Sequence, residues 1–247
     1  MNPILQLEAL YGGYLPGKPV LHGLTFSIRQ GEMVGLIGLN GAGKSTTIKH
    51  ILGLLQPQKG VIRIKGLTLD EQSISYRSSY AYVPESPELY EELTIAEHLE
   101  LTAMAYGLTR EQYQERSQIL LEEFRMTDKL KSFARHLSKG MKQKVMIMNA
   151  FLVEPDLYII DEPFLGLDPL AIRSLLELMV RMKHKGASFL ISSHILSTIE
   201  KYCDHFVVLH RGRMAAHGDI EGLRAQTGLA QASLDDIFYH IIQGDSL

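Results

Sequence analysis

The sequence predicts an α/β fold in which helices cover a mostly parallel β-sheet. Apolar runs of strand length alternate with helical patterns, as at 157–160, 169–185 and 188–192. Parallel strands need long crossover connections, which are usually helices, so this alternation favours a parallel sheet. A second observation agrees, since a glycine-rich turn at 38–43 joins a strand pattern directly to a helix pattern.

The first thirty residues predict a small antiparallel β-subdomain. Strand patterns at 4–10 and 20–28 are separated by glycine and proline turns, which is typical of strands that pair with their sequence neighbours. Tyr14 lies between them. An aromatic ring at a strand edge can stack on a purine, although a loop tyrosine is more often a surface residue.

A phosphate-binding pattern, G-x-x-x-x-G-K-[ST], stands between a buried strand at 33–37 and a helix at 46–55. Its residues are Gly38, Leu39, Asn40, Gly41, Ala42, Gly43, Lys44, Ser45 and Thr46. The glycines let several backbone N–H groups turn inward, and the helix dipole adds positive potential, so a polyphosphate fits there. Lys44 would contact the β- and γ-phosphates, and the Ser45 hydroxyl would bind their Mg²⁺. The pattern predicts a nucleotide site.

Further strand patterns at 61–64 and 80–83 follow, and the second ends at Pro84 and Glu85. The chain then changes character, because capping boxes at Thr94 and Thr109 begin amphipathic helices. We expect a helical insertion within the α/β fold.

Ser138 predicts the start of another helix, as an N-cap residue. The free N–H groups at that helix start form a second anion site. Because the phosphate loop already supplies the first, we expect Ser138 and Gly140 of one subunit to complete the γ-phosphate site of another.

Two adjacent carboxylates, Asp161 and Glu162, follow the strand at 157–160. Two negative charges at the end of a buried strand repel each other and lose hydration, so a solvated turn is the weaker explanation. In a parallel sheet this edge borders the ligand crevice. Asp161 would hold Mg²⁺ through water, and Glu162 would orient or deprotonate a hydrolytic water. His194, after the strand at 188–192, could hydrogen-bond the γ-phosphate and distinguish ATP from ADP, although most of the ten histidines need be only surface or packed residues.

Composition sets limits on the class of protein. The 247 residues carry a net charge of −3, which does not favour nucleic acid as a partner. The single cysteine, Cys203, rules out an internal disulfide and suits a reducing compartment. The N-terminus lacks a signal pattern, which argues for the cytoplasm, and no apolar run approaches the ~20 residues that cross a bilayer.

Five motifs occur along the chain: the phosphate loop, the Ser138–Gly140 helix start, the Asp161–Glu162 strand end, Gly166-Leu167-Asp168 and His194. Together and in this order, they resemble the motifs of the ATP-binding cassette ATPases, which have a P-loop NTPase (RecA-like) core. Within that family the chain is most similar to the Ecs-type ATPases of bacterial transporters. The resemblance implies a head-to-tail homodimer that clamps two Mg·ATP and drives a separate membrane permease, with export favoured. It implies a cytoplasmic location, peripheral at the inner face of the membrane. Tyr14 then matches the adenine-stacking aromatic, Glu162 the catalytic glutamate, His194 the switch histidine and Asp168 the aspartate that links the two sites, while Lys44 remains at the phosphates.

The resemblance also implies an internal division of one ATPase domain, 1–247. Residues 1–86 and 156–217 would form the β-subdomain and ATP-binding core. Residues 87–155 would form the helical signature subdomain, and 218–247 a helical tail.

Two motifs depart from the family pattern. The signature Leu-Ser-Gly-Gly-Gln has Lys139 in place of its first glycine and Met141 in place of its glutamine, while Ser138 and Gly140 remain. Glu85 stands where the family has a lid glutamine, and a carboxylate can meet Mg²⁺ or water but cannot donate as an amide does. The surface from Glu85 to Tyr106 resembles the groove that receives a cytoplasmic helix of the permease.

Two functions share this ATP site. One is a transporter motor, and the other is a soluble cassette ATPase that serves an assembly complex. A GTPase switch is disfavoured because no Asn-Lys-x-Asp motif is present, and tandem translation or DNA-repair cassettes are disfavoured by the single phosphate loop.

Overall fold

Two β-sheets form the framework of the protein, whose computed structural model describes residues 3–244. The strands are β1 (Leu5–Gly12), β2 (Leu21–Ile28), β3 (Met33–Ile37), β4 (Lys59–Ile64), β5 (Tyr80–Val83), β6 (Leu157–Asp161), β7 (Ser188–Ser192), β8 (His205–His210) and β9 (Arg213–Gly218). The larger sheet has the order β5-β6-β7-β3-β8-β9. Its first five strands, including β3, are parallel, and β9 is antiparallel to β8. The smaller sheet is antiparallel, with the order β2-β1-β4.

The helices lie around these sheets. They are α1 (Lys44–Ile51), α2 (Ser73–Ser78), α3 (Ile95–Ala105), α4 (Arg110–Glu123), α5 (Lys139–Val153), α6 (Pro169–His184), α7 (Leu196–Ile199), α8 (Ile220–Thr227) and α9 (Leu234–Gly244). Helices α3 to α5 come between β5 and β6 in the sequence. The predicted α/β fold, with an antiparallel β-subdomain and a helical insertion, is confirmed.

The local signals at the helix starts act as the sequence predicts. Thr94 and Thr109 each accept a hydrogen bond from the N3 backbone, and the N3 side chain bonds back, so both capping boxes form. The Ser138 hydroxyl accepts from the Met141 N–H at 3.3 Å and caps α5.

The central strands are fully buried. Every residue of β3, β6 and β7 is buried, as expected when helices or a second sheet cover both faces of parallel strands. Because β5, β6, β7 and β3 are parallel neighbours, their carboxyl ends lie side by side at one edge of the sheet. This edge is where an open α/β sheet binds its ligands.

Several boundaries differ from the predicted ones. Helix α1 ends at Ile51 rather than 55, and Gly53 has a left-handed φ of 71° just beyond it. Helix α7 is a single turn, whereas the sequence pattern predicts a helix from Ile195 to Tyr202. Strand β9 and helix α2 were not predicted. Strand β9 alternates between exposed and half-buried residues at a sheet edge, so it lacks the apolar run that marks a buried strand.

Candidate functional site

An open cleft of about 860 Å³ lies at the carboxyl edge of the parallel strands. It contains most of the predicted site residues: Tyr14, Gly38, Leu39, Asn40, Gly41, Gly43, Lys44, Ser45, Thr46, Glu85, Glu162 and His194. These residues come from the β1–β2 connection, from the segments that follow β3, β5, β6 and β7, and from the first turn of α1. The fold thus gathers segments that are up to 180 positions apart (14 to 194) into one site.

The phosphate loop has the backbone geometry that its glycines permit. Gly43 has a φ of 113°, in the left-handed region that favours glycine, and it directly precedes α1. Lys44, the first residue of α1, is 8% exposed, and its Nζ donates to the Gly38 carbonyl at 2.7 Å. The lysine side chain therefore folds back over the loop. Its ammonium group can give up the hydrogen bond to this carbonyl and donate to phosphate oxygens instead.

Tyr14 stands at one wall of the cleft. Its side chain is 55% exposed, and Lys49 Nζ lies 5.1 Å from the ring centroid. An exposed aromatic ring beside a phosphate loop can stack on a base.

Glu162 and His194 form a hydrogen-bonded pair in the cleft wall. The Glu162 carboxylate accepts from the His194 backbone N–H at 3.1 Å and from its ring Nδ1 at 2.7 Å. Glu162 has a φ of 47°, a left-handed conformation that is strained for a residue with a side chain. The Glu162 carboxylate is mostly shielded, and the His194 ring is about half exposed. The pair lines the same cleft as the phosphate loop.

Asp161 lies deeper, at the end of β6. It is 4% exposed and accepts a short hydrogen bond from the Ser192 hydroxyl. Burial raises the pKa of Asp161, and the charges of Glu162 and Glu85 add to the rise, while the Ser192 hydrogen bond and Lys44 oppose it. The neighbouring carboxylates and the lysine are therefore close enough to interact with Asp161.

The residues present fit an Mg²⁺ ion that is carried by phosphates. Mg²⁺ usually binds through one or two protein oxygens together with substrate phosphates and water. Ser45 and Glu85 supply oxygens in the cleft, and Asp161 supplies one beneath it. Within residues 3–244, no group of three or more His, Cys, Asp or Glu side chains could hold a metal ion.

Pro84, the residue before Glu85, is hydrogen-bonded to helix α5 of the helical insertion. The Gln143 side chain of α5 is fully buried and donates to the Pro84 carbonyl at 3.2 Å. Glu85 lines the cleft. The loop after β5 therefore contacts both the cleft and the helix that carries the signature residues.

The remaining predicted residues do not line this cleft; among them, Ala42 is buried within the phosphate loop. Ser138, Lys139, Gly140 and Met141 lie at the start of α5, and Asp168 caps α6 by accepting from the Ala171 N–H at 2.9 Å. These two segments contact each other instead. Lys144 Nζ donates to Asp168 at 2.8 Å, and a Cβ on Gly140 would collide with the carbonyl of Gly166. The phosphate loop and the signature residues therefore lie in different places in the same chain.

Sequence reasoning missed five residues of the cleft wall, which are Val20, Ser193, Leu196, Asp235 and Phe238. Asp235 and Phe238 of α9 line it together with Leu196 of α7. No motif marks them, because an aspartate and a phenylalanine in a short tail helix carry no characteristic spacing. Only the packing of the tail against α7 brings them there.

Comparison with known proteins decides the family. A family model described as "ABC transporter" matches residues 21–165. The ATP-binding protein EcsA of Bacillus subtilis is 56% identical over 243 residues, which cover 98% of each chain. This chain belongs to the ABC transporter ATP-binding proteins. As a member of that family, it binds ATP and hydrolyses it to drive transport, and ATP-binding subunits of ABC transporters work with membrane permeases.

Other relatives of this ABC protein agree over its whole length. The uncharacterized ABC transporter ATP-binding protein YthP of Bacillus subtilis is 40% identical over 247 residues, which cover all of both chains. A solved ATP-binding subunit of an ABC transporter has 57% identity and a TM-score of 0.94, with 96% of this chain and 99% of that one covered. The predicted cassette fold and the Ecs-type resemblance are therefore confirmed.

Proposed function

We propose that this ABC ATPase is the motor subunit of a bacterial exporter, and that two copies bind head to tail around two Mg·ATP. The division of the site supports this proposal. The cleft holds the phosphate loop, Glu162 and His194, while Ser138 and Gly140 lie elsewhere in the same chain. A second copy would place its signature helix over the cleft and supply the missing N–H and hydroxyl donors.

Within each cleft, different residues bind the base, bind the phosphates and activate the water. Tyr14 stacks on adenine, and the amides of residues 38–46 together with Lys44 bind the phosphates. Ser45, Asp161 and Glu85 would hold Mg²⁺, which would neutralise phosphate charge. Glu162 accepts the proton of the attacking water, and His194 holds Glu162 in place and contacts the γ-phosphate.

We further propose that the permease docks on the surface from Glu85 to Tyr106. A small groove of about 220 Å³ lies there, lined by Leu89, Tyr90, Tyr106 and Asn149 among others. Tyr90 is 65% exposed, and the buried Asn149 Oδ1 has no hydrogen-bond partner among the described residues. Such a surface can accept an amphipathic helix that presents one apolar face and a polar donor.

The location and the direction of transport belong to the same proposal. Among residues 3–244, no helix is long and apolar enough to cross a membrane. We place the subunit in the cytoplasm, bound at the inner face of the membrane through its permease. Export is favoured by relatives such as the Nod factor export ATP-binding protein I of Ralstonia nicotianae, 33% identical over 88% of this chain and 67% of that protein.

Two experiments test the proposal. Purified E162Q protein with Mg·ATP should double its mass from the 27.8 kDa monomer, because ATP stays trapped between two copies. Replacing Ser138 with arginine in the same variant should prevent the doubling, and a persistent monomer in E162Q itself would contradict the dimer. Affinity purification from detergent-solubilised membranes should recover a polytopic membrane protein, whereas recovery of soluble proteins alone would favour the assembly ATPase.

A further inference from the structure

The C-terminal helix α9 reaches the nucleotide cleft although it carries no family motif. Asp235 and Phe238 line the cleft together with Ser193 and His194. Phe238 is half-buried and packs against the main hydrophobic core. The tail is therefore part of the wall that faces the nucleotide.

Several contacts hold α9 firmly against α7. Leu234 and Ile237 of α9 are fully buried in the same core as Leu196 and Ile199 of α7. The Leu234 N–H donates to the Glu200 carboxylate at 3.0 Å. The first residue of α9 is thus hydrogen-bonded to Glu200, the C-cap residue of α7.

The start of α9 is also stable by itself. The Ser233 hydroxyl donates to the Asp236 carboxylate at 2.6 Å and accepts from the Asp236 N–H at 3.2 Å. This reciprocal arrangement resembles a capping box and sets the direction in which the helix begins. Phe238, one turn further on, is therefore presented to the cleft by a fixed helix.

Helix α7 connects α9 to the catalytic pair. It begins two residues after His194, and the Ile195 N–H donates to the Ser193 hydroxyl at 3.0 Å. Since α7 is a single turn of four residues, it has little stability without tertiary contacts. The position of His194 therefore depends on what packs against α7.

We infer that Phe238 and the Glu200–Leu234 contact are positioning elements for hydrolysis: they hold the segment 193–196 so that His194 stays hydrogen-bonded to Glu162. Phe238 acts through that segment and does not need to touch the nucleotide. This inference rests on the proposed roles of Glu162 and His194. A small displacement of a catalytic group can cost up to about a hundredfold in rate, so the loss of this support should affect turnover more than binding.

The test compares F238A with Y239A in the full-length protein. Tyr239 is the next residue on α9 and is 64% exposed, so its removal takes away an aromatic ring without touching the cleft wall. For F238A we expect kcat to fall on the order of tenfold, with less than a twofold change in the Kd of a fluorescent ATP analogue. Y239A should keep both values, and F238L should restore most of the kcat because it refills the apolar contact.

The outcomes separate this inference from the proposed function. Normal kcat in F238A, with E162Q inactive, overturns the inference and leaves the hydrolysis mechanism standing. A weaker Kd with unchanged kcat would also overturn it, because Phe238 would then be a nucleotide contact. If F238A fails to fold, E200A provides the same test at the surface end of the contact: reduced kcat with normal Kd supports the inference, and normal kcat overturns it.

Discussion

The carboxylate of Glu162 accepts two hydrogen bonds from one residue, His194, through its backbone N–H and its ring Nδ1. Because a carboxylate can only accept, the ring proton lies on Nδ1, and Nε2 remains available to a further partner. A γ-phosphate that enters the cleft would meet a pair whose geometry already exists. Because His194 and Glu162 are joined by two hydrogen bonds, a change in either should affect the position of the other.

Replacing Glu162 with glutamine should lower turnover by about 10²–10⁴-fold while ATP remains bound, because the variant loses the general base but keeps the size of the side chain. The glutamine oxygen can still accept from His194, so the loop after β6 should stay folded. Steady-state phosphate release and equilibrium ATP binding measure the two effects. E115Q, at an exposed position of α4, is the control for loss of one carboxylate. Hydrolysis near the wild-type rate in E162Q would remove Glu162 from the mechanism.

Replacing Lys44 with alanine should weaken nucleotide binding itself. The lysine is buried beside the phosphate loop and is positioned to exchange the Gly38 carbonyl for phosphate oxygens. Titration with ATP should show a loss of affinity, and K131A should bind normally because Lys131 is exposed in a distant segment. Unchanged ATP affinity in K44A would contradict the phosphate-loop assignment.

Replacing Lys144 with methionine should lower turnover more than it lowers stability. The Lys144–Asp168 pair is partly exposed and so contributes less than about 1 kcal/mol to the free energy of unfolding. The hydrogen bond from Lys144 lowers the pKa of Asp168, so this contribution is present at neutral pH and is lost only as the pH falls through that lowered pKa. Breaking the pair frees the 166–168 loop from the signature helix.

Thermal unfolding and ATPase rates, measured side by side, separate these two effects of K144M. R173M is the matched control, because Arg173 also forms a single ion pair but on the exposed face of α6. Equal turnover in K144M, R173M and the wild type would show that the contact between Asp168 and α5 has no part in the reaction.

Replacing Glu85 with glutamine restores the residue type that the family has at the lid. Glu85 lines the cleft, and its charge contributes to the raised pKa of Asp161. We expect E85Q to change the Mg²⁺ concentration that gives half-maximal turnover, because one carboxylate near the ion is removed. The permease-stimulated rate should change as well, since the preceding Pro84 is bonded to α5. If both quantities match the wild type, Glu85 does not serve as the lid residue.

Local signals predicted the parts of this protein that depend on local geometry. The glycine pattern around Lys44, the carboxylates after β6 and the serine cap of α5 all lie where the sequence placed them. Strand β9 and helix α2 escaped prediction because a weakly patterned edge strand and a six-residue helix depend on their neighbours. The place of Asp235 and Phe238 in the cleft wall was not predicted either, because it depends on how α9 packs against its neighbours.

The sequence by itself determined the fold class and the nucleotide chemistry, because strand–helix alternation and a phosphate loop are encoded within short windows of residues. Only the tertiary structure decided how distant segments meet. It paired His194 with Glu162, joined Asp168 to Lys144, and brought the tail residue Phe238 to the cleft. Such contacts arise when apolar faces of separate elements pack together, and no spacing along the chain records which elements will become neighbours.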